Sequence, residues 1–229
     1  MKDVMVISLG GSVIIPDGKP NYKLLDDFIK ILRKHSKKYK FVVVCGGGSL
    51  ARKYISILEK EGKSKKELSL AGIMATRTNA QFIMKVFGKE ANGKLPLDME
   101  EVKHNLWKNK VVVCGALRYA EKSTSDGTAA KLAKFLKGEF INITKTDGLY
   151  SSNPEINKNA KFIPYIPWKD FEKRALRIKF KAGQHFVLDQ SASEIIRKYK
   201  IKTYIIGRDM KNLDGILRGE NFKGTVIEG

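Results

Sequence analysis

The run from Phe41 to Arg52, FVVVCGGGSLAR, is the part of the chain whose residue types point most directly to a chemistry. Four apolar residues, three of them β-branched, predict a buried strand, and three glycines lead from it into an amphipathic stretch that predicts a helix. A helix N-terminus presents unpaired N–H groups and a partial positive charge, and glycine lets an anion approach the backbone closely. Arg52, about one turn into that helix, adds a cation. The run therefore predicts a phosphate-binding turn.

The alternative is a plain strand-to-helix turn, because short glycine motifs are not specific and this spacing fits neither the Walker loop nor the Rossmann fingerprint. Two other predicted strands also end in glycine: Val4 to Leu9 leads into Gly10-Gly11-Ser12, and Val111 to Cys114 leads into Gly115. Ligands of parallel α/β sheets bind at the carboxyl ends of the strands. Three such turns at one edge of a sheet suggest that more than one phosphate is bound.

Composition sets the class of protein. The chain has 229 residues, which fits one large α/β domain or two small ones. No run approaches the roughly 18 apolar residues of a membrane helix, and the N-terminus does not have the form of a signal peptide, so we expect a cytoplasmic protein. Cys45 and Cys114 each end a predicted strand and are interpreted as small buried hydrophobes. The histidines show no metal-ligand spacing, and no protein-built metal site is expected.

The formal net charge of +20 is carried mostly by lysine. Nucleic-acid binding is one explanation, but the lysines are scattered through every segment, arginine is scarce, and no basic-aromatic motif occurs. A lysine-rich solvated surface is therefore favoured over a nucleic-acid site. The same charge would help attract an anionic small substrate.

Short buried strands alternate with helical patterns along the chain, which predicts an α/β fold with a mostly parallel sheet covered on both faces. The predicted strands are 4–9, 41–45, 111–114, 140–143 and 203–206, with a last edge strand at 225–227. The predicted helices are 24–32, 50–58, 65–87, 99–107, 129–136, 167–176, 191–199 and 213–217. We expect one domain, 1–229, with two lobes that meet near Lys137-Gly138.

Local signals refine this outline. Asp126 and Ser191 are expected to cap the helices that follow them. Val13 to Ile15 and the turn at Pro16-Asp17-Gly18 suggest a short hairpin over the first glycine turn. Asp147-Gly148 could be a hairpin turn.

Six blocks, in order, resemble the amino-acid kinase superfamily. They are Ser8-Leu-Gly-Gly-Ser12, Cys45-Gly-Gly-Gly-Ser-Leu-Ala-Arg-Lys-Tyr54, Gly72-Ile-Met-Ala-Thr-Arg-Thr-Asn79, Thr124-Ser-Asp126, Thr144-Lys-Thr-Asp-Gly-Leu-Tyr-Ser-Ser-Asn-Pro154 and Val187-Leu-Asp189. Within the superfamily the chain most resembles the archaeal type of uridylate kinase, over nearly its whole length. The resemblance implies a three-layer αβα sandwich around a mostly parallel open sheet. It also implies transfer of the γ-phosphoryl group of ATP to UMP with Mg²⁺, in a homohexamer of three dimers.

The resemblance assigns roles to individual positions. For ATP and its phosphates they are Gly10, Gly11, Ser12, Gly48, Arg52, Thr144, Tyr150 and Asn153, of which Gly48 and Arg52 face the phosphate region between the two ligands. For UMP they are Gly47, Ser69, Thr124 and Ser125, with the loop that ends at Ser125 closing over the base. The ATP lobe is about 138–229 and the acceptor lobe about 1–137. Asp189 would orient a catalytic lysine or organise the site.

Four departures from the family pattern affect this assignment. Ser69 stands where the family commonly has a ribose-binding Asp, and Ser152-Asn-Pro154 replaces Ala-Asp-Pro. The acceptor loop, Arg118 to Asp126, looks longer than the usual Pro-Gly-His-Thr-Thr-Asp run. Ser8 occupies the position of a lysine that neutralises the transferring group in many superfamily kinases, so another cation is needed, and Lys181 is the candidate.

The pattern supports nucleotide-kinase chemistry better than it supports UMP as the acceptor. A kinase acting on isopentenyl phosphate, a carboxylate or carbamate stays open as an alternative, as does a non-catalytic protein that binds nucleotides or oxyanions. Arg77 could be a solvated helix charge or a subunit-contact residue, and the sequence does not decide between these.

Overall fold

The computed structural model describes residues 2–119, 124–177 and 188–229. The strands in this part of the chain are β1 (Asp3–Leu9), β2 (Tyr39–Cys45), β3 (Val111–Cys114), β4 (Glu139–Ile143), β5 (Leu149–Tyr150), β6 (Phe162–Ile163), β7 (Tyr165–Ile166), β8 (Thr203–Ile206) and β9 (Gly224–Ile227). The α-helices are α1 (Gly11–Ile14), α2 (Tyr22–His35), α3 (Gly48–Lys60), α4 (Lys65–Phe87), α5 (Met99–Lys108), α6 (Ser125–Leu136), α7 (Trp168–Leu176), α8 (Gln190–Lys198) and α9 (Met210–Arg218). Two 3₁₀ turns cover Pro16–Gly18 and Gly88–Glu90.

A mostly parallel sheet is the centre of the described structure. Its seven strands lie in the order β3-β2-β1-β4-β8-β9-β7, and the first five are parallel. Leu9 pairs with Cys45 on one side and Ile143 on the other, and Ile143 pairs with Ile206. The carboxyl ends of these strands are thus aligned along one edge, as the glycine pattern predicted.

Helices cover both faces of the sheet, because successive strand residues point to opposite sides. Ile7 and Val43 face a core that also contains apolar residues of α2, α4 and α9. Val6 and Val42 face a second core shared with α5, α6, α7 and α8. Burial on both faces explains why these strands are continuous apolar runs. The predicted three-layer α/β architecture is confirmed.

The far side of the sheet differs from the sequence prediction. Gly224–Ile227 is an interior strand, antiparallel to β8 and parallel to β7, so it is not an edge. The edge on that side is the two-residue strand Tyr165–Ile166, which was not predicted. A two-residue strand is too short to show a hydrophobic period, so its pairing with Val226 and Ile227 could not be inferred locally.

Three local predictions were wrong. The expected hairpin at residues 13–18 is a single helical turn, in which the N–H groups of Val13 and Ile14 both donate to the Gly10 carbonyl. The cap of α6 is Thr124 rather than Asp126. The cap of α8 is Asp189 rather than Ser191. Within the described residues, no helix combines the length and apolar character needed to cross a membrane.

Candidate active site

Five strand ends place the candidate site along one edge of the sheet. The segments that follow these strands, in the spatial order of the strands, are Gly115, Gly46–Gly48, Gly10–Ser12, Thr144 and Gly207. β1 lies in the middle, with β2 on one side and β4 on the other, so the chain crosses over in opposite directions from this point. This is the topological switch at which doubly wound sheets bind ligands.

The turns after β1 and β2 pack backbone against backbone. A Cβ on Gly11 would lie 2.3 Å from the Gly48 nitrogen, and a Cβ on Gly48 would lie 2.5 Å from the Gly11 carbonyl carbon. Gly48 also has a φ of +59°, which L side chains rarely adopt. Neither position can accept a side chain without separating the two turns.

This contact brings two sets of backbone N–H groups together. Gly47 is the N-cap of α3 and offers no capping side chain, so the first N–H groups of that helix have no side-chain partner at the cap. Arg52 is exposed on the same helix, one turn on. Ser12 is half-buried, and its carbonyl accepts a 3.3 Å hydrogen bond from Arg208. Together these groups can cradle a chain of phosphates between β1 and β2.

Four polar residues near the end of β1 and the starts of α6 and α8 form two hydrogen-bonded pairs. The Ser8 hydroxyl donates to the Asp126 carboxylate at 2.7 Å. The Thr124 hydroxyl donates to Asp189, whose other oxygen accepts the Ala192 N–H at 2.8 Å. Burial and the charge of Asp189 raise the pKa of Asp126 to about 7, although the hydrogen bond from Ser8 acts in the opposite direction.

This group corrects the interpretation of Asp126. Asp126 was predicted to be a cap, but its carboxylate instead meets the end of β1, 118 positions earlier in the chain. Thr124 accepts the Gly127 N–H and so provides the cap itself. The sequence signal available was the Thr-Ser-Asp spacing, in which a cap at Thr124 leaves Asp126 free for another role.

The residues expected at the adenosine side follow β4. The Thr144 N–H donates to the Ile206 carbonyl at 3.0 Å. Tyr150 is half-buried in β5 and packs edge-on against Phe162, with ring centroids 5.4 Å apart. Asn153 is exposed in the loop between β5 and β6, where its side chain accepts the Glu155 N–H. These residues lie on the β4 side of Gly10 and Gly11, opposite to the Gly46–Gly48 turn.

Asp147-Gly148 is not the turn of a hairpin. The strand after it, β5, pairs with β6 across the loop of residues 151–161. The Asp147 carboxylate instead forms an ion pair with Lys223 at 2.5 Å. A Cβ on Gly148 would lie 2.7 Å from the Thr225 hydroxyl oxygen, so glycine is needed for close packing on β9.

The residues expected at UMP are placed less closely together. Gly47 is at the N-terminus of α3, while Thr124 and Ser125 begin α6. Ser69 is exposed near the start of α4, two turns before Thr76 on the same helical face. Lys181 lies outside the described residues, as do residues 120–123 of the acceptor loop.

Sequence reasoning also missed the use made of α4. Asn79 is buried, with an exposed fraction of 3%, and its side-chain NH₂ donates to the Gly46 carbonyl at 2.7 Å. The guanidinium of Arg77 donates to the carbonyls of Ala116 and Leu117. Arg77 is therefore more than a solvated helix charge, because its guanidinium ties α4 to the segment after β3. The available signal was a polar residue, Asn79, on the stripe that includes the buried Ala75, Ala80 and Ile83.

Mg²⁺ can be tested against the donor set of the site. No cluster of three or more His, Cys, Asp or Glu side chains suited to a metal occurs in the described ranges. Mg²⁺ bound with a nucleotide usually takes one or two carboxylates and completes its shell with phosphates and water. The neighbouring carboxylates Asp126 and Asp189 fit that limited requirement.

Comparison with known proteins identifies the same family that the sequence blocks resemble. The sequence model of the Amino acid kinase family matches residues 3–207. A uridylate kinase of Archaeoglobus fulgidus is 35% identical over 224 residues, which cover 97% of this chain and 99% of that protein. A uridylate kinase of Pyrococcus abyssi is 32% identical over 226 residues, covering 98% and 99%.

Solved structures agree. The crystal structure of the Archaeoglobus fulgidus uridylate kinase superposes with a TM-score of 0.85 at 34% identity, covering 99% of this chain and all of that one. A UMP kinase structure from Ureaplasma parvum gives a TM-score of 0.78 at 22% identity over both full chains, which supports the fold alone. The predicted resemblance to archaeal uridylate kinases is confirmed, and the chain belongs to the amino acid kinase family.

Proposed function

We propose that this protein is a nucleoside monophosphate kinase that transfers the γ-phosphoryl group of ATP to UMP. The observation that carries the proposal is the backbone-to-backbone packing of Gly11 on Gly48. It brings two phosphate-type turns together at the switch point of the sheet, where two phosphate chains can meet end to end. The supporting comparison is with relatives named uridylate kinases at 30–35% identity over nearly the whole chain.

The reaction needs little covalent chemistry from the protein. An oxygen of the UMP phosphate attacks the γ-phosphorus, the bond from that phosphorus to the bridging oxygen of ADP breaks, and UDP and ADP leave. Catalysis of such a transfer is mainly in-line positioning and stabilisation of charge on the moving group. N–H groups of the two glycine turns can supply fixed donors for that group without reorganisation.

Each half of the sheet edge takes one ligand in this proposal. ATP lies on the β4 side, with its adenosine near Thr144, Tyr150 and Asn153 and its phosphates on Gly10, Gly11 and Ser12. UMP lies on the β2 and β3 side, near Gly47, Ser69, Thr124 and Ser125, with Gly48 and Arg52 between the two ligands. The lobes divide near residues 137 and 138. Thr144 and Gly10 follow neighbouring strands, which supports placing the adenosine and the phosphates of one nucleotide there.

Mg²⁺ would be held by the phosphates of ATP together with Asp126 or Asp189. When bound, it supplies charge neutralisation of the phosphates during transfer. Ser8 and Thr124 hold the two carboxylates in fixed orientations through their hydroxyl groups. In this proposal the carboxylates of Asp126 and Asp189 lie beside the transferring phosphoryl group and attract the cation that the transfer requires.

Lys181 is the proposed protein cation, since Ser8 carries no charge. Removing one preorganised donor typically lowers kcat by about 10²–10³. Lys181→Ala is expected to lower kcat to that extent and to leave ATP affinity nearly unchanged, while the neighbouring substitution Lys179→Ala has little effect. Equal and mild effects of both would assign the charge stabilisation to Mg²⁺, Arg52 and the glycine turns.

We also propose a cytoplasmic homohexamer built from three dimers, acting in pyrimidine nucleotide synthesis. The support is an exposed apolar surface on α3 and α4. Its members are Tyr54, Ile57, Leu70, Met74, Phe82 and Val86. An apolar patch of this kind on a chain with +20 charge is typical of a surface covered by another subunit.

The proposal is tested by incubating the protein with Mg-ATP and a panel of acceptors. The expected result is rapid ADP formation with UMP, slower reaction with dUMP and little with AMP or GMP, because a closed loop sized for a pyrimidine would exclude a purine. EDTA should abolish the reaction. Turnover of isopentenyl phosphate, carbamate or a carboxylate without UMP turnover would indicate another kinase of the family. Nucleotide binding without any transfer would indicate a non-catalytic member.

A further inference from the structure

We propose that Thr76, Arg77 and Asn79, on one turn of α4, are positioning residues that hold the two acceptor-side turns in register. This inference rests on the proposed function for its catalytic consequence, but its structural part can be tested without catalysis. The two turns are the glycine turn of residues 46–48, after β2, and the segment of residues 115–117, after β3. The three residues meet both turns at once.

Asn79 holds the first turn. Its side-chain NH₂ donates to the Gly46 carbonyl at 2.7 Å and to the Gly47 carbonyl at 3.4 Å. Asn79 and its bond to Gly46 are buried, so loss of that bond leaves the Gly46 carbonyl short of a partner at a buried position. Fixing these two carbonyls toward α4 fixes the peptide planes that follow, so the N–H groups at the start of α3 are held toward the opposite side, where phosphate would bind.

Thr76 and Arg77 hold the second turn. The Thr76 hydroxyl accepts the Ala116 N–H at 2.9 Å and donates to the Ile73 carbonyl at 2.7 Å. Arg77 donates from Nε to the Ala116 carbonyl at 3.1 Å and from Nη2 to the Leu117 carbonyl at 2.6 Å. The planar fork of arginine suits two neighbouring carbonyls. These bonds fix the base of the loop that leads to Thr124 and Ser125.

Close glycine packing makes this arrangement rigid. A Cβ on Gly115 would lie 2.7 Å from the Arg77 nitrogen and 2.8 Å from the Thr76 carbonyl carbon, so the end of β3 lies directly on the backbone of α4. A Cβ on Gly47 would lie 3.5 Å from the Thr76 methyl carbon. The same helical turn therefore sets the spacing between the two acceptor-side turns.

The predicted consequence is selective. The strands that α4 packs on are β2 and β3, whereas Thr144, on the adenosine side, follows β4 and bonds to Ile206 of β8. Loosening α4 should therefore impair the acceptor before it impairs ATP. A general loss of folding, by contrast, would lower the amount of active protein and so reduce the rate with both substrates, without raising the KM for UMP selectively.

The test uses Thr76→Val, which removes the hydroxyl and keeps the shape, and Arg77→Lys, which keeps the charge and loses the fork. The matched control is Thr78→Val. Thr78 lies between the other residues of the turn and is exposed. Within the part of the chain that the structure describes, its hydroxyl bonds only to the Met74 carbonyl of its own helix, at 3.1 Å. Asn79→Ala is a third variant. It removes the side-chain donor to the Gly46 and Gly47 carbonyls, while the Gly47 carbonyl keeps its bond from the Ala51 N–H.

Steady-state kinetics should give a KM for UMP raised about five- to fiftyfold in Thr76→Val and Arg77→Lys, with the KM for ATP within about twofold of the unmodified protein and Thr78→Val unchanged. Native-state hydrogen exchange, measured without substrates, should show faster exchange of amides in 115–118 in Thr76→Val and Arg77→Lys, and of amides in 46–50 in Asn79→Ala, with Thr78→Val unchanged in both segments.

The inference is overturned if these amides exchange at the unmodified rate in all three variants, or if the KM for UMP and the KM for ATP rise together in Thr76→Val and Arg77→Lys. Absence of UMP turnover by the unmodified protein would reject the proposed function instead, while the exchange measurement would still decide whether α4 holds the two turns.

Discussion

At the scale of single residues, the candidate site depends on where charge is placed around uncharged glycine turns. Arg52 is the described cation whose position follows most directly from the sequence, since it comes one turn after Gly48. It is exposed, and among the described residues it has no ion-pair partner. A cation held in this way is available to a phosphate.

Arg52→Ala should therefore impair function and leave folding intact. Loss of a charge-assisted bond to phosphate costs about 1.5–3 kcal/mol, which corresponds to a roughly tenfold or larger loss in kcat/KM. Lys53→Ala, the adjacent exposed cation, is the control and should change kcat/KM by less than about twofold. Unchanged kinetics of Arg52→Ala with both substrates would identify Arg52 as a surface charge only.

Asp126 gives a prediction about pH. Its pKa is raised to about 7 in the folded protein, while an aspartate in an unfolded chain titrates near 3.9. The folded state therefore binds more protons between these values, and this group's contribution to the free energy of unfolding falls as the pH rises through that window. Asn cannot titrate, so the free energy of unfolding of Asp126→Asn does not include this fall with rising pH.

The gain in stability of Asp126→Asn over the unmodified protein should grow by up to about 1.4 kcal/mol per pH unit between about pH 4.5 and 6.5. Urea unfolding at several pH values, with EDTA present so that no cation binds the carboxylate, measures this. A difference that is constant with pH would show that Asp126 is not protonated preferentially in the folded state.

At the scale of elements, the sequence is informative where local signals agree. The helix predicted at about 65–87 matches α4, Lys65–Phe87. In the structure Ser64 and Glu67 form a capping box at its start, and Gly88 ends it with a φ of +63°. The β1, β2 and β3 strands were predicted because they are apolar on both faces. Their glycine ends then located the candidate site.

Local signals failed where a distant contact decides. The choice of Thr124 over Asp126 as a cap depends on Ser8, and the interior position of β9 depends on its pairing with β7 and β8. Strand order and the partners of Asn79 are likewise tertiary facts that no window of sequence contains. The fold class and most strands were thus predictable, whereas the supporting contacts of the site were not.

Gly115 tests the close approach of β3 to α4. A methyl group at this position would overlap the α4 backbone at 2.7–2.9 Å, and overpacking of this kind costs about 1–3 kcal/mol. Gly115→Ala should therefore lower the free energy of unfolding by about that amount, measured by urea denaturation. Gly93→Ala is the control, since a Cβ there meets nothing within 4 Å and the residue is exposed. Equal stability of both variants would mean that the contact between β3 and α4 is loose.

At the scale of the whole molecule, the net charge and the exposed apolar surface have opposite effects on association. The +20 charge attracts anions, but it opposes association through repulsion between like-charged copies. The exposed apolar patch on α3 and α4 is the feature that can overcome this repulsion. α3 has no buried residue in the isolated chain, although it packs against α4. A second subunit that covered α3 would stabilise this helix further.

Assembly is therefore expected to depend on this patch. Light scattering at micromolar concentration should give a mass near six times the 25.8 kDa of one chain. Met74→Glu places a charge at a side chain that is 63% exposed in the single chain, so it should fold normally and yield smaller species, because an unpaired charge is costly to bury at an interface. Ile156→Glu, on the loop between β5 and β6, is more exposed still and should leave the mass unchanged. A monomer in the unmodified protein would contradict the hexamer, and a Met74→Glu variant of unaltered mass would place the subunit contacts on another surface.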